Sequence, residues 1–380
     1  MRDVVILGST GSIGVQALEV IAANPSQFRV VGLAAGSNNQ LRLIEQARRF
    51  DVPILGVTSD GAELRAALDG VEVISGKDSA RQIAALPADV VLNGISGSIG
   101  LGPTLAALEA GNTVALANKE SLVAGGELVM KHGRDRIFPV DSEHSAIFQA
   151  LHAGKREEVA KLVLTASGGP FRERADLASV TVAEALAHPT WSMGPVVTIN
   201  SATLVNKGLE MIEAHYLFDI PYSKIEAVIH PQSIVHSMVE FIDGSTIAQA
   251  SPPNMKGPIA YALAYPERIT KAMPPIDWSA RQSWNFEPID VARFPSIQLA
   301  LRCGGLGGPV AAMYNAANEV AVDAFLRSLI PFPAIVATIE ATIEKLSGSA
   351  PESLRDLADV TAVEDDARRA AAETIQRLKR

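Results

Sequence analysis

The sequence predicts an α/β protein: a parallel-sheet domain first, then an α+β segment with a mixed sheet, then a bundle of helices. Three observations carry that reading. Short apolar runs alternate with amphipathic stretches up to about residue 140. Beyond residue 141 several strand-like runs follow one another with no helix between them. After residue 296 the periodicity is helical throughout. A chain of 380 residues also fits two or three domains at ~100–200 residues each.

In the first part, strands are expected at 4–7, 29–34, 54–57, 89–92, 113–117 and 136–140, with helices at 13–23, 39–49 and 101–110 between them. Apolar strands separated by helices form βαβ units, and their sheet is covered on both faces. In the middle, 161–165, 227–230, 233–241 and 246–250 read as strands, and one long helix runs from Ser201 to about Leu217. Residues 266–295 hold prolines 266, 274, 275, 288 and 295, two tryptophans and little periodicity, the texture of a linker. Helices are expected at 310–327, 333–345 and 361–379, the last opened by Thr361 and Glu364 as a capping box. The domain boundaries that follow are 1–141, 142–265, 266–295 (linker) and 296–380.

Composition removes several classes of function. Lys plus Arg number 33 and Asp plus Glu 42, a net charge of −9, whereas a nucleic-acid or anionic-membrane partner calls for a basic footprint. No apolar run approaches the ~18 residues of a membrane span. The single cysteine, Cys303, rules out a disulfide framework and a thiolate metal cluster within one chain. The chain passes from Met1-Arg2-Asp3 straight into Val4-Val5-Ile6-Leu7, leaving no room for a signal peptide, so a soluble cytoplasmic protein is expected.

Gly8-Ser9-Thr10-Gly11-Ser12-Ile13-Gly14 directly follows the first strand and opens the first helix. This G-x-x-G-x-x-G run is a variant of the Rossmann dinucleotide fingerprint, in which glycines bring the backbone close to a pyrophosphate at a helix N-terminus. The second strand ends Leu33-Ala34-Ala35-Gly36-Ser37-Asn38-Asn39 without the carboxylate that accepts from the ribose of NAD. NADP is therefore favoured over NAD, although Arg42 is the one basic residue in view. Two further loops, 93–98 and 117–121, stand at strand ends where open α/β sheets bind ligands. Lys119 and Glu120 in the second of them read equally well as helix-start charges.

Asp141 and Glu143 lie two apart after the last strand, so in extended backbone both side chains face one way and can share a cation. Lys207, Glu210 and Glu213 are spaced i, i+3, i+6 on one helix face. Carboxylate-only ligation suits Mg²⁺ or Mn²⁺. The plain alternatives remain open: Asp-x-Glu as a helix cap, and Lys207–Glu210 as a solvated pair. Ser167-Gly168-Gly169 ends a strand as a candidate anion cradle; Ser201 with Asn206 and Lys207 is another, or Ser201 is simply an N-cap. His188-Pro189-Thr190-Trp191-Ser192-Met193-Gly194 suits a water-excluding lid, or a Trp-anchored loop. His230 and His236 read as structural.

A short-chain dehydrogenase would need Tyr-x-x-x-Lys, but tyrosines 216, 222, 261, 265 and 314 are followed four residues on by Ile, Glu, Tyr, Ile and Asn. An acylating aldehyde dehydrogenase would need a cysteine near the nucleotide loop. A non-enzymatic NADP sensor has no use for the acidic cluster. What remains is a metal-assisted NADP reductase of a small phosphorylated substrate.

The runs GSTGSIG, ANKESLV, PVDSEHSAIFQ, SGGPFRE, HPTWSMG, ATLVNKGLEMIEAHYLF, IHPQSIVHSMVEF and NAANEVAV together resemble the 1-deoxy-D-xylulose 5-phosphate reductoisomerases over nearly the whole chain. The resemblance implies a homodimer with an NADPH domain, a central catalytic domain bearing the dimer sheet, and a helical C-terminal domain. It implies isomerisation of a ketose phosphate to a branched aldehyde, reduction of that aldehyde by NADPH, a place in non-mevalonate isoprenoid synthesis, and inhibition by fosmidomycin. By the same resemblance Asp141, Glu143 and Glu210 are metal ligands, with Lys119 and Ser142 contacting substrate beside them. Ser167, Ser201, Asn206 and Lys207 are phosphate donors, His188 a substrate contact, and Trp191 and Met193 the flap. Thr10, Gly11, Ser12, Ile13, Gly36, Ser37, Asn38, Asn118, Glu120 and Gly194 are cofactor contacts. Two departures stand out: Ser37 where the family often has Lys or Arg, and Asn254 where an acidic residue is common.

Overall fold

In the computed structural model, residues 1–191 and 193–378 are described. Ser192 of the expected lid and Lys379 of the last expected helix lie outside the described residues. Among the described residues no helix is long and apolar enough to cross a membrane.

Seven parallel strands, β1 (Arg2–Leu7), β2 (Phe28–Ala35), β3 (Ile54–Val57), β4 (Glu72–Ser75), β5 (Val90–Asn93), β6 (Thr113–Leu116) and β7 (Ile137–Pro139), form one sheet in the order β4-β3-β2-β1-β5-β6-β7. The order reverses direction beside β1, as in doubly wound nucleotide-binding sheets. Helices α1 (Ser12–Ala23), α2 (Gln40–Phe50), α3 (Ala62–Ala67), α4 (Ser79–Ala84), α5 (Leu101–Glu109) and α6 (Glu120–Met130) connect them. The apolar ends of β1 and β2 are buried among α1, α2 and neighbouring strands, the two-sided burial that a continuous Val/Ile/Leu run requires.

The sheet has one strand more than expected. β4 lies at the sheet's edge with both end residues exposed and its two central residues, Val73 and Ile74, only half-buried, so it carries no buried apolar run to announce it. The short α3 and α4 were likewise not expected.

A second sheet is mixed, in the order β11-β10-β8-β9-β12. Its strands are β8 (Val159–Ala166), β9 (Ile225–Ile229), β10 (Val235–Phe241), β11 (Thr246–Ala250) and β12 (Glu287–Pro288); β8 and β9 run parallel and the other pairs antiparallel. The chain passes through α7 (Ser142–Ala150), α8 (Val182–Leu186), α9 (Pro195–Ala202), α10 (Val205–Phe218) and α11 (Lys256–Ala264), and ends in α12 (Ser296–Gly305), α13 (Gly308–Leu326), α14 (Ala334–Leu346) and α15 (Leu357–Leu378).

Three local expectations are corrected. The long helix from Ser201 is two helices, because Leu204 takes a left-handed φ of 57° between them, and Ser201 falls in the last turn of α9 rather than at an N-cap. Thr361 sits one turn inside α15, its hydroxyl turned back to the Leu357 carbonyl (2.9 Å); the start is held by the Asp356 carboxylate accepting from Asp359 N–H (2.9 Å). Glu143 is not in extended backbone, since α7 begins at Ser142, and Asp141 stands immediately before that helix.

The chain folds into two compact units, neither continuous in sequence: 1–121 with 129–145 and 254–274, and 122–128 with 146–253 and 275–380. Ile259, Ala260, Ala262, Leu263 and Ala264 of α11 complete the apolar core of the first unit.

Candidate active site

In the first unit, the site starts where β1 gives way to the glycine loop. Gly8 and Ser9 N–H both donate to the Ala34 carbonyl of β2 (2.8 and 3.0 Å), which draws the loop against the end of the second strand. A side chain on Gly14 would place its Cβ 2.5 Å from the Gly8 oxygen and the Ser9 Cα, so only glycine lets the first turn of α1 approach the loop so closely. Gly11 caps α1 without any side-chain bond, and Thr10, Ser12 and Ile13 complete the turn. The first-turn amides of a helix so capped are ready to take an anion. An NADP pyrophosphate therefore fits this cradle.

Two interactions outside the expected set brace the loop. Gln46 Nε2 donates to the Ser9 carbonyl (2.8 Å), and Arg42 Nη1 to the Thr10 carbonyl (3.2 Å). Gln46 is 8% exposed, and the signal for it in the sequence is its place three residues after Leu43, on the apolar face of α2. Gly36, Ser37 and Asn38 follow β2 into a short 3₁₀ turn with exposed side chains.

Asn118 and Glu120 tie the two further loops together. Asn118 Nδ2 donates to the carbonyls of Ile95 (2.8 Å) and Gly97 (2.9 Å), and Glu120 Oε1 accepts from Gly97 N–H (3.2 Å). Lys119 is no surface helix-start charge: it is nearly buried and pairs with Asp141 at 2.5 Å. Asp141 Oδ1 accepts from Ser142 N–H (3.0 Å), and the Ser142 hydroxyl donates to the Glu143 carboxylate. The first turn of α7, rather than a strand, thus groups Asp141, Ser142 and Glu143 beside a lysine.

The second unit supplies two more groups. β8 ends at Ala166, immediately before Ser167, and Gly169, at a φ of 64°, turns the chain so tightly that a Cβ there would lie 2.9 Å from the Ser201 carbonyl oxygen. His188 joins these segments. Its Nδ1 accepts from the N–H groups of Thr190 (3.1 Å) and Trp191 (2.9 Å), which leaves the ring proton on Nε2. Nε2 then faces Ser167 Oγ (3.0 Å) and Ser201 Oγ (3.1 Å). Burial pushes the imidazole below its ordinary pKa, which favours this neutral, Nε2-protonated ring.

On α10, Lys207 and Glu210 form an ion pair at 3% and 1% exposure, and Asn206 Nδ2 donates to the same carboxylate. This is not a solvated helix pair. Withdrawing two charges from water costs several kcal/mol per ion, and charged groups kept inside despite that cost are candidates for chemistry. Trp191 lies with its ring 6.2 Å from that of His236, which bonds Ser251 Oγ (2.9 Å); Met193 is half-buried, and Gly194 caps α9. His230 is structural, accepting from Ile234 and Val235 N–H (3.1 Å each).

The structure therefore brings together Ser167, His188 and Ser201, and separately Asn206, Lys207 and Glu210. In the first unit it gathers Lys119 with Asp141, Ser142 and Glu143, and the nucleotide loop with the end of β2. Asp141 and Glu143 in the first unit, and Glu210 in the second, each offer carboxylate oxygens, the donor chemistry that suits Mg²⁺ or Mn²⁺ better than zinc.

Comparison with known proteins adds identity to this geometry. Residues 4–126 match the family description "1-deoxy-D-xylulose 5-phosphate reductoisomerase", and residues 137–218 and 250–370 match its C-terminal domains. The chain is 54% identical to the 1-deoxy-D-xylulose 5-phosphate reductoisomerase of Streptomyces avermitilis, covering 98% of each chain. Among solved structures, the Zymomonas mobilis enzyme in complex with NADPH is 40% identical over 99% of both chains, with a TM-score of 0.92. A DOX-P reductoisomerase in complex with NADPH, fosmidomycin and magnesium is 37% identical over the full length of both, with a TM-score of 0.94.

Proposed function

The chain belongs to the 1-deoxy-D-xylulose 5-phosphate reductoisomerase family, and from that premise we propose how its residues carry the reaction. The protein is an NADPH- and divalent-metal-dependent enzyme that isomerises 1-deoxy-D-xylulose 5-phosphate and reduces the resulting aldehyde to 2-C-methyl-D-erythritol 4-phosphate. The carrying observation is the end-to-end match to relatives of that activity. A different metal-assisted NADP reductase, or an NADP sensor, would not need identity running through both units.

Residues 1–141 are assigned to NADPH, 142–265 to substrate, 266–295 to a linker and 296–380 to helical support. Thr10, Gly11, Ser12, Ile13, Gly36, Ser37, Asn38, Asn118, Glu120 and Gly194 are assigned to the cofactor. Asp141, Glu143 and Glu210 are assigned to the ion, which when bound supplies Lewis acidity toward the substrate's carbonyl and hydroxyl oxygens. Lys119 adds a fixed cation beside Asp141, and Ser142 orients the Glu143 carboxylate as well as contacting substrate. Both favour negative charge developing on the reacting oxygens.

The substrate phosphate is assigned to Ser167, Ser201, Asn206 and Lys207. His188, with its proton on Nε2, aligns the two hydroxyls and donates toward the substrate. Trp191 and Met193 exclude water, which strengthens every charge interaction inside and protects the aldehyde. Binding energy at the remote phosphate orients the reacting end.

A cytoplasmic homodimer is the assembly we assign. The exposed edge strand β11 and the 70% exposed Ile242 before it support pairing with a second copy, since free strand edges are normally protected. Sedimentation at the mass of one chain would overturn it.

Following NADPH absorbance with 1-deoxy-D-xylulose 5-phosphate tests the reading. Oxidation should require both the ketose phosphate and Mg²⁺ or Mn²⁺, and chelation should stop it. Oxidation at the same rate in chelator would remove the metal role; none under any condition would remove the activity.

A further inference from the structure

We propose that Arg42 is the residue through which this chain selects NADPH over NADH, by pairing with the 2′-phosphate of the adenosine ribose. The proposal deepens the NADPH assignment above and rests on it. The two cofactors differ only in that phosphate, a dianion at the end of the second strand, where an NAD enzyme places a carboxylate instead. Here residues 34–44 contain no Asp or Glu, and the turn itself offers only the neutral Ser37, Asn38 and Asn39. Neutral donors alone discriminate weakly against loss of a dianion, because charge-assisted bonds are roughly twice as strong as neutral ones.

Arg42 supplies the missing charge by geometry. It lies in the first turn of α2, its backbone N–H capped by the Asn39 side chain (3.4 Å). Its guanidinium reaches the Thr10 carbonyl (3.2 Å), so it spans from the turn after β2 to the glycine loop after β1. Those segments are themselves tied by the Gly8 and Ser9 bonds to Ala34, which fixes where a bound ribose must pass. Gly36 has open space where a side chain would stand.

The guanidinium is exposed, and among the described residues no carboxylate pairs with it. Among the described residues only one of its five N–H groups is engaged, leaving a planar fork suited to phosphate. The other cations nearby are committed elsewhere. Arg65 is held by Asp60, Val73 and Ser75, and Arg48 bonds Ala67 at the far end of α2. Arg49 lies over the Phe50 ring.

The experiment is equilibrium titration of the intact enzyme by nicotinamide fluorescence with NADPH and with NADH, and displacement of NADPH by 2′,5′-ADP. Arg42→Ala should raise the NADPH Kd by about 10- to 100-fold and that of 2′,5′-ADP in proportion, while the NADH Kd moves less than about twofold. Arg42→Lys should recover part of the loss, and Ser37→Lys placed on Arg42→Ala should restore phosphate discrimination by a second route. Equal weakening of NADPH and NADH, or no change in either, would overturn the role of Arg42 and leave the family's reaction standing. Failure of the unaltered enzyme to bind NADPH at all would instead strike the cofactor assignment on which the proposal rests.

Discussion

The glycine loop after β1 and the polar cluster of α10 are made of opposite materials. The first is backbone: amides, carbonyls and a Gly14 that admits no other residue at 2.5 Å. The second is side chain: a buried Lys207–Glu210 pair with Asn206 on the same carboxylate. A backbone site fails when any atom is added and tolerates wide chemistry around it. A side-chain site tolerates changes of shape but fails when one charge is removed at constant shape. The contrast gives each region its own kind of damaging substitution.

The sharpest break should come from Glu210→Gln, which keeps volume and removes charge. Turnover with saturating Mg²⁺ should fall by at least ~10²–10³-fold, the scale of losing a main electrostatic contact to the transition state. The NADPH Kd should stay within about threefold. Normal turnover in chelated buffer would show that this carboxylate has no ion to hold.

Next in size is Gly14→Ala, which adds one methyl and no charge. The new carbon collides with the Gly8 and Ser9 backbone, so the loop must open, and NADPH should bind about 100-fold more weakly. Unaltered NADPH affinity by fluorescence titration would mean that α1 does not need to approach the loop this closely.

The smallest effect concerns stability and pH. Burial pushes His236 down to about 4, against an ordinary imidazole near 6.5. Between those values the unfolded chain binds a proton that the folded chain does not, so stability falls as the pH drops from about 6.5 toward about 4. Between pH 7 and 5 this single group should remove about 2 kcal/mol, at 1.36 kcal/mol per pKa unit. His236→Gln should lack that part of the acid limb in chemical denaturation. An identical loss in both proteins would place the acid sensitivity in other residues.

The two regions also differed in how far the sequence revealed them. The strand, Gly8–Gly14 and α1 were legible because glycine spacing is a direct record of backbone geometry. Residue types on α10 were legible, but their state was not: i, i+3 spacing is the same for a solvated pair and for one at 1–3% exposure. The helix break at Leu204 left no Gly or Pro to mark it. Asp141 and Glu143 converge through a helical turn where extended backbone was expected, because the polar run Asp141-Ser142-Glu143 suits a strand end and a helix start alike. β4 escaped notice because an edge strand need not be apolar. The partners of His188 were invisible, since Ser167 and Ser201 meet it from other segments.

The first unit borrows α11 from far downstream. Its apolar core closes only when residues 254–274 arrive, long after residue 145. On a ribosome adding ~5–20 residues per second, the nascent sheet therefore waits on the order of ten seconds with one flank uncovered. A chain cut after residue 141 would keep that flank bare permanently, so the nucleotide domain is not separable by a cut in the linear sequence. Dissecting it would mean grafting α11 back on through a new connection.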